Sequence, residues 1–373
     1  MAVHVDTDFF AGSIEVLRTP ARGPLELALR PDSAADVRQW FCFDVHDSGA
    51  RARDLVIRDA GSATYPEGFE DYEAMVSHDG RSWARAETSY DGTDLCIMHE
   101  PVGAVTRYAY FAPYALERLE RSLGKLAARA GARIDASLVS AEERPVYVAT
   151  LGNDDAARTI WIIAAQHPGE TPALWFMHGL MRRLRRGDRT VKRLLDRTRI
   201  GLVPLVNPDG AAHGNLRTSA TGANLNRCWE NPDAADAPEI AGLLELLDAR
   251  APDLFLDVHA DEDCAYAFPA GCEGNPSFNA EREEEELALR SDLAAAIPEF
   301  VDEPFYEPDA PGEGDLGCAA NQIGERHGCL ALTLELPVKG GGGGRVRRGW
   351  SPKRAARAGE RLVDVLLAAR ERL

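Results

Sequence analysis

Residues 161–171 read WIIAAQHPGET, and this stretch decides the fold. An apolar, β-branched run stops abruptly at His167-Pro168-Gly169-Glu170, and helical spacing resumes from Ala173 to Leu184. The pattern predicts a buried strand that delivers His167 and Glu170 onto a loop ahead of a helix. Three residues apart in a turn held by Pro and Gly, an imidazole nitrogen and a carboxylate can aim at one point. Taken alone, the pair is equally a surface His and a helix-start Glu favoured by the helix dipole.

Working outward, the same alternation recurs. VYVATLG, TIWIIAAQ, RIGLVPLV, LFLDVHA and CLALTLELP are strand-like, separated by helical patterns at 173–184, 237–247 and 282–294 and followed by a last helix from Pro352, which Ser351 caps. Strands alternating with helices predict an α/β domain with a largely parallel or mixed sheet covered on both faces. Before it, SIEVL, LELALR, QWFCFDV, ARDLVIRDA, DLCIMHE and TRYAYFAPY are short strands with turn signals at Asp79-Gly80 and Asp91-Gly92, which predicts an antiparallel β-sandwich. LERLERSLGKLAARA between them has helical spacing. The expected division is a β-sandwich over 1–114, a linking helix over 115–131 and an α/β domain over 132–373. His46, His78 and His99 stand isolated and read as structural.

The totals narrow the function. A chain of 373 residues, 45% hydrophobic, buries a core easily and has the length of about two domains. Its formal net charge of -18 argues against nucleic acid as a partner. The basic runs Arg182–Arg186 and Arg345–Arg348 read as helix-flank and loop charges, Glu281–Glu286 as a solvated helix face, and Gly340–Gly344 as a flexible loop. No run approaches the ~20 apolar residues of a membrane span, and the start MAVHVDTDFF lacks a charged segment followed by an apolar one, so a cytoplasmic location without a membrane partner is expected. Seven scattered cysteines without a C-x-x-C pair indicate neither disulfides nor a structural zinc cluster. Cys264 follows His259 by five residues.

Polar residues gather at the ends of these strands, where ligands of open α/β sheets collect. LVPLVNPDG runs into Asn207-Pro208-Asp209-Gly210, by itself an ordinary turn. NLRTSATGANLNRCW brings Arg217, Asn226 and Arg227 together; an Arg fork binds carboxylates bidentately and an Asn amide adds a directional donor, although a structural ion pair explains Arg227 as well. FLDVHADED ends a strand at His259, with Asp257 two residues earlier. His259 would complete a His-Glu-His set, the ligand number and type of a catalytic zinc that keeps one position open. In LALTLELP, Glu335 stands among apolar neighbours, where a carboxylate costs several kcal/mol unless paired or functional. It is either a general base or half of an ion pair with a helix Lys or Arg.

Together HPGE, LVNPDG, the Arg217 segment with GANLNRCW, DVHADE, LTLELP and YAYFAPY resemble the zinc metallocarboxypeptidases of the carboxypeptidase A superfamily, specifically the cytosolic carboxypeptidase branch. The resemblance covers nearly the whole chain. It implies an α/β/α sandwich about a mixed eight-stranded sheet, preceded by a small antiparallel β-sandwich, and one Zn2+ per chain held by His167, Glu170 and His259. By the same resemblance Arg217 stabilises an oxyanion, Asn226 and Arg227 clamp the terminal carboxylate of a peptide or protein tail, and Glu335 is the catalytic base. The family's mobile Tyr has two candidates, Tyr266 and Tyr306, neither in a matching pattern. The side-chain pocket is expected within DLGCAANQIGER (315–326), where Arg326 suggests removal of acidic or polar terminal residues. Rival readings are a zinc N-acyl amino acid deacylase and a non-catalytic tail-binding pseudoenzyme; homo-oligomerisation stays open.

Overall fold

The computed structural model describes residues 3–47, 49, 52–302, 305–339 and 349–372. Gly340–Gly344 and Arg345–Arg348 therefore lie outside the described residues.

The amino-terminal part is built from β1 (His4–Asp6), β2 (Glu15–Arg18), β3 (Leu25–Ala28), β4 (Cys42–His46), β5 (Leu55–Arg58), β6 (Met75–Ser77), β7 (Ala84–Arg85), β8 (Glu87–Tyr90), β9 (Leu95–Met98) and β10 (Val105–Ala109). They form two five-stranded sheets, in the orders β1-β4-β10-β6-β7 and β2-β3-β5-β9-β8. Leu25, Leu27, Leu55, Ile57, Leu95 and Ile97 are buried at every second position, the period-two signature of a sheet with one face on a core. The sandwich is antiparallel except where β3 pairs β5 in parallel. Between these two strands the chain crosses to the other sheet as β4, so it returns running in the same direction.

Helix α1 (Leu116–Ala130) buries Leu119, Ser122, Leu123 and Leu126, an i, i+3, i+4, i+7 stripe, and ends at Gly131 in the left-handed conformation. The central sheet then takes β11 (Arg133–Asp135), β12 (Val148–Gly152), β13 (Arg158–Ala164), β14 (Thr198–Val203), β15 (Leu254–Asp261), β16 (Phe268–Ala270) and β17 (Leu330–Pro337). Their order is β11-β12-β14-β13-β15-β17-β16, so the sheet has seven strands among the described residues, one fewer than the eight expected. The four inner strands run parallel and the edges antiparallel, which makes β13, β15 and β17 the continuous apolar runs seen in the sequence.

Helices α2 (Thr171–Leu184), α3 (Arg189–Arg197), α4 (Pro208–His213), α5 (Pro238–Ala249), α6 (Ala280–Ala296), α7 (Ala319–His327) and α8 (Pro352–Ala369) complete the chain. One apolar cluster packs α1, α2, α6 and α8 on one face and continues into the β-sandwich; a second packs α5 and α7 on the other. At Gly179 of α2 a Cβ would lie 1.8 Å from the Ala356 carbonyl oxygen of α8, so only glycine lets the two helices approach this closely. Helix α3 has no counterpart in the sequence expectations, because only Val191 and Leu194 of its nine residues are buried and its charges mask the stripe. The YAYFAPY run joins the two halves: the Ala112 carbonyl accepts from Trp175 Nε1 at 2.9 Å and from Thr171 Oγ1 at 3.1 Å.

Candidate functional site

The carboxyl ends of β13, β15 and β17 open into one cleft of about 520 Å³, lined by the seven residues expected to hold zinc, bind substrate or act in catalysis: His167, Glu170, Arg217, Asn226, Arg227, His259 and Glu335. A wider, open depression of about 820 Å³ on the sandwich, beside Arg22, Arg53 and His99, assembles no ligand set among the described residues.

Beyond β13 the chain turns at Ala165, whose φ of 56° is left-handed, and Asn207 Nδ2 holds the Gln166 carbonyl at 3.0 Å. This places His167 and Glu170 beside the last residues of β15. His167, Glu170 and His259 are almost fully buried, and their ligand atoms all lie within 4.8 Å of one another. Glu170 Oε1 sits 2.6 Å from His167 Nδ1, Glu170 Oε2 sits 2.9 Å from His259 Nδ1, and the two Nδ1 atoms are 3.1 Å apart. Two imidazole nitrogens and a carboxylate converging this closely in a buried place are a donor set that fits a divalent cation.

Each imidazole is fixed from behind. His167 Nε2 meets Asn224 Oδ1 at 2.9 Å, and His259 Nε2 meets Asp257 Oδ2 at 2.8 Å. Gln166 Nε2 donates to the same Asp257 oxygen at 2.6 Å and to Asn226 Oδ1 at 3.2 Å, while Trp229 Nε1 donates to Gln166 Oε1 at 2.7 Å. Burial alone would lower the His259 imidazole; the Asp257 and Glu170 carboxylates outweigh it and raise it well above its ordinary value. Asp257 precedes His259 by two, so both point to one face of β15, a relation the strand period contained. Gln166 and Asn224 were hidden: Gln166 directly precedes His167 and Asn224 lies within GANLNRCW, with no pattern to mark the partner of either.

Glu335 pairs with His259 across β15 and β17. Burial pushes its carboxyl well above the ordinary range; His259 opposes this, and Glu170, Asp261 and Asp257 add to it. Asn226 Oδ1 accepts from Gln166 and from the Ala319 N–H at 2.8 Å. Arg227 is exposed and steadied by Asp315, with Nε to Oδ2 at 3.2 Å, and by its own neighbour's carbonyl. Arg217 lies with its guanidinium 5.8 Å from the Tyr65 ring centre. Tyr65, Glu67 and Gly68, from the 3-10 turn between β5 and β6, also line the cleft; nothing in their local sequence marks this, because the contact spans some 150 residues.

The two Tyr candidates and Arg326 lie in different places relative to the cleft. Tyr306 lines the cleft, donating to Asp261 Oδ2 at 2.5 Å and packing on Phe268, whereas Tyr266 is not among the lining residues. Arg326 is a correction: on the outer side of α7 it makes a two-pronged ion pair with Asp248 of α5, at 2.7 and 2.6 Å, and contributes nothing to the cleft. The last turn of α7 faces α5, while Cys318, Ala320 and Asn321 at its start face the site. Asn207 caps α4, and Asp209 is buried against Ser140 and Arg144, so NPDG is structural. Cys264 is buried, free and outside the cleft.

Compared with known families, residues 120–341 match the model described as zinc carboxypeptidase, and residues 5–111 match the cytosolic carboxypeptidase N-terminal domain. The chain belongs to the zinc carboxypeptidase family. A protein of Zymomonas mobilis is 35% identical over 368 residues, covering 98% of this chain and 96% of the relative. The metallo-carboxypeptidase from Burkholderia cenocepacia is similar over 100% of both chains, with a TM-score of 0.93 and 35% identity. A metallo-carboxypeptidase from Pseudomonas aeruginosa, solved in complex with (2-guanidinoethylmercapto)succinic acid, is 36% identical over 99% of both chains, with a TM-score of 0.94. This zinc carboxypeptidase is thus a metal-dependent hydrolase with the amino-terminal domain of the cytosolic branch, and among its described residues no helix is long and apolar enough to cross a membrane.

Proposed function

We propose that this enzyme removes single residues from the free carboxyl terminus of a peptide or protein tail, with one zinc held by His167, Glu170 and His259. Bound there, zinc supplies Lewis acidity to the scissile carbonyl and lowers the pKa of water. The protein's own groups do the rest. Arg227 and the Asn226 amide receive the terminal carboxylate, a match for a bidentate fork beside a directional donor. Arg217 faces the carbonyl oxygen as negative charge develops on it. Glu335 takes a proton from the attacking water and delivers it to the leaving amine, as a carboxylate beside the metal-binding His259 can do. Tyr306, held at the cleft wall by Asp261, covers the substrate. The observation that carries the reading is the β15–β17 register, which sets Glu335 directly beside His259.

Cys318, which meets Arg227, and Ala320, Asn321 and Thr333 also line the cleft, small and polar groups that favour a polar terminal residue over a bulky apolar one. Preference for an acidic one now rests on the family branch alone, since Arg326 faces elsewhere. The succinate ligand of the Pseudomonas relative supports a carboxylate-receiving site. Free cysteines throughout support a reducing, cytoplasmic setting.

The test is incubation of the zinc-loaded protein with peptides bearing free or amidated termini, with products read by mass. Loss of one residue at a time from free termini only is the expected result. Cleavage of N-acyl amino acids but of no peptide would replace this reading by the deacylase, and no cleavage of either at full zinc occupancy would favour a binding role.

A further inference from the structure

Arg217 has backbone neighbours that come from the other domain. The Asp32 carboxylate, buried at 5% exposure in the loop between β3 and β4, receives three consecutive backbone N–H groups: Leu216 to Oδ1 at 2.7 Å, and Arg217 and Thr218 to Oδ2 at 2.8 and 2.9 Å. The Thr218 hydroxyl adds a fourth donor at 3.1 Å. Next to this, Asn215 Oδ1 accepts from the Ser33 N–H at 3.1 Å while its Nδ2 donates to the Thr218 carbonyl at 3.0 Å. The same segment reaches the metal loop, because Gly169 N donates to the Leu216 carbonyl at 2.8 Å and a Cβ on Gly169 would lie 2.7 Å from Leu216 Cα. Tyr65, from the same domain as Asp32, supplies the surface under the guanidinium.

We propose that Asp32 is a positioning residue for the reaction: the amino-terminal domain fixes the Leu216–Thr218 backbone through this carboxylate and so presents Arg217 to the scissile carbonyl. The proposal rests on the role given to Arg217 above. A carboxylate is needed because both oxygens must accept. In Asp32→Asn the amide NH2 would face N–H donors and push the segment away, and displacement of a catalytic group by about 1 Å costs up to 10²-fold. The amino-terminal domain is then a working part of the active site.

The test is a double-mutant cycle on a cleaved peptide, at measured full zinc occupancy. Asp32→Asn is expected to lower kcat/KM about 10- to 100-fold in the native background and by less than about 3-fold once Arg217 is Ala, since a group acting through Arg217 loses its effect with it. Equal losses in both backgrounds, or full activity of Asp32→Asn, overturn the proposal. If Asp32→Asn does not fold, Tyr65→Leu carries the same cycle with the same criteria. If the native enzyme cleaves no peptide, the reading of function fails separately, and amide hydrogen exchange at Leu216, Arg217 and Thr218 still decides: faster exchange confined to this segment in Asp32→Asn supports the anchoring, and unchanged exchange overturns it.

Discussion

Asp257 Oδ2 lies 2.8 Å from His259 Nε2 and 2.6 Å from Gln166 Nε2, so one buried carboxylate orients an imidazole and is itself held in place. The ring therefore turns Nδ1 toward Glu170. Partners of this kind typically contribute 10- to 100-fold to metal affinity. Asp257→Asn should weaken zinc binding by about that factor, read by competition with a chromophoric chelator; unchanged affinity would show that ring packing alone sets the geometry.

Glu335 carries the proton in the proposed reaction but is not one of the metal-binding set. Glu335→Gln should keep zinc and peptide binding while kcat falls ~10²-fold or more. Near-normal turnover of a zinc-loaded preparation would remove Glu335 from the chemistry.

Arg227 is exposed and meets Asp315, the Asn226 carbonyl and Cys318 Sγ, contacts at the rim of the cleft whose truncation should leave the fold intact. Arg227→Ala should raise KM for free-terminus peptides, with a loss of about 2–3 kcal/mol in binding for a charge-assisted contact. Amidated peptides, already poor, should be little changed, and an equal loss for both kinds would mean that Arg227 does not meet the terminal carboxylate.

Glu239, on α5, is fully buried; burial first and then the Asp209 carboxylate push its carboxyl up to about 7. The folded state holds this proton after the unfolded chain, titrating at the ordinary 4.5, has released it. Its contribution is therefore intact below about pH 4.5 and lost as pH rises toward 7. Glu239→Gln should flatten the stability profile in that window and gain up to ~3 kcal/mol at pH 8, measured by urea unfolding across pH. A variant profile parallel to the native one would refute the assignment.

The site was legible in the sequence because buried parallel strands are read as apolar runs, and a polar residue at the end of such a run has no packing reason to be there. His167, Glu170, His259 and Glu335 all met that description. Arg326 misled, since a helix shows its charge in the sequence but not the face that the charge occupies; Asp248 decides that face and is 78 residues away. Tyr306 was one of two aromatic candidates in an irregular segment, where no period assigns direction.

By itself the sequence determined the alternation of strands and helices, the apolar layers and the residues gathered at the strand ends, because periodicity and the cost of burying a polar group act locally along the chain. Only the tertiary structure decided the parallel β3–β5 pair, the Gln166 and Asn224 supports, the place of Tyr306 in the cleft wall, and the contact of Asp32 and Tyr65 with the Arg217 segment. Each of these joins residues through space rather than along a strand or helix, and no local spacing records a hydrogen bond between segments that meet only after the layers have packed.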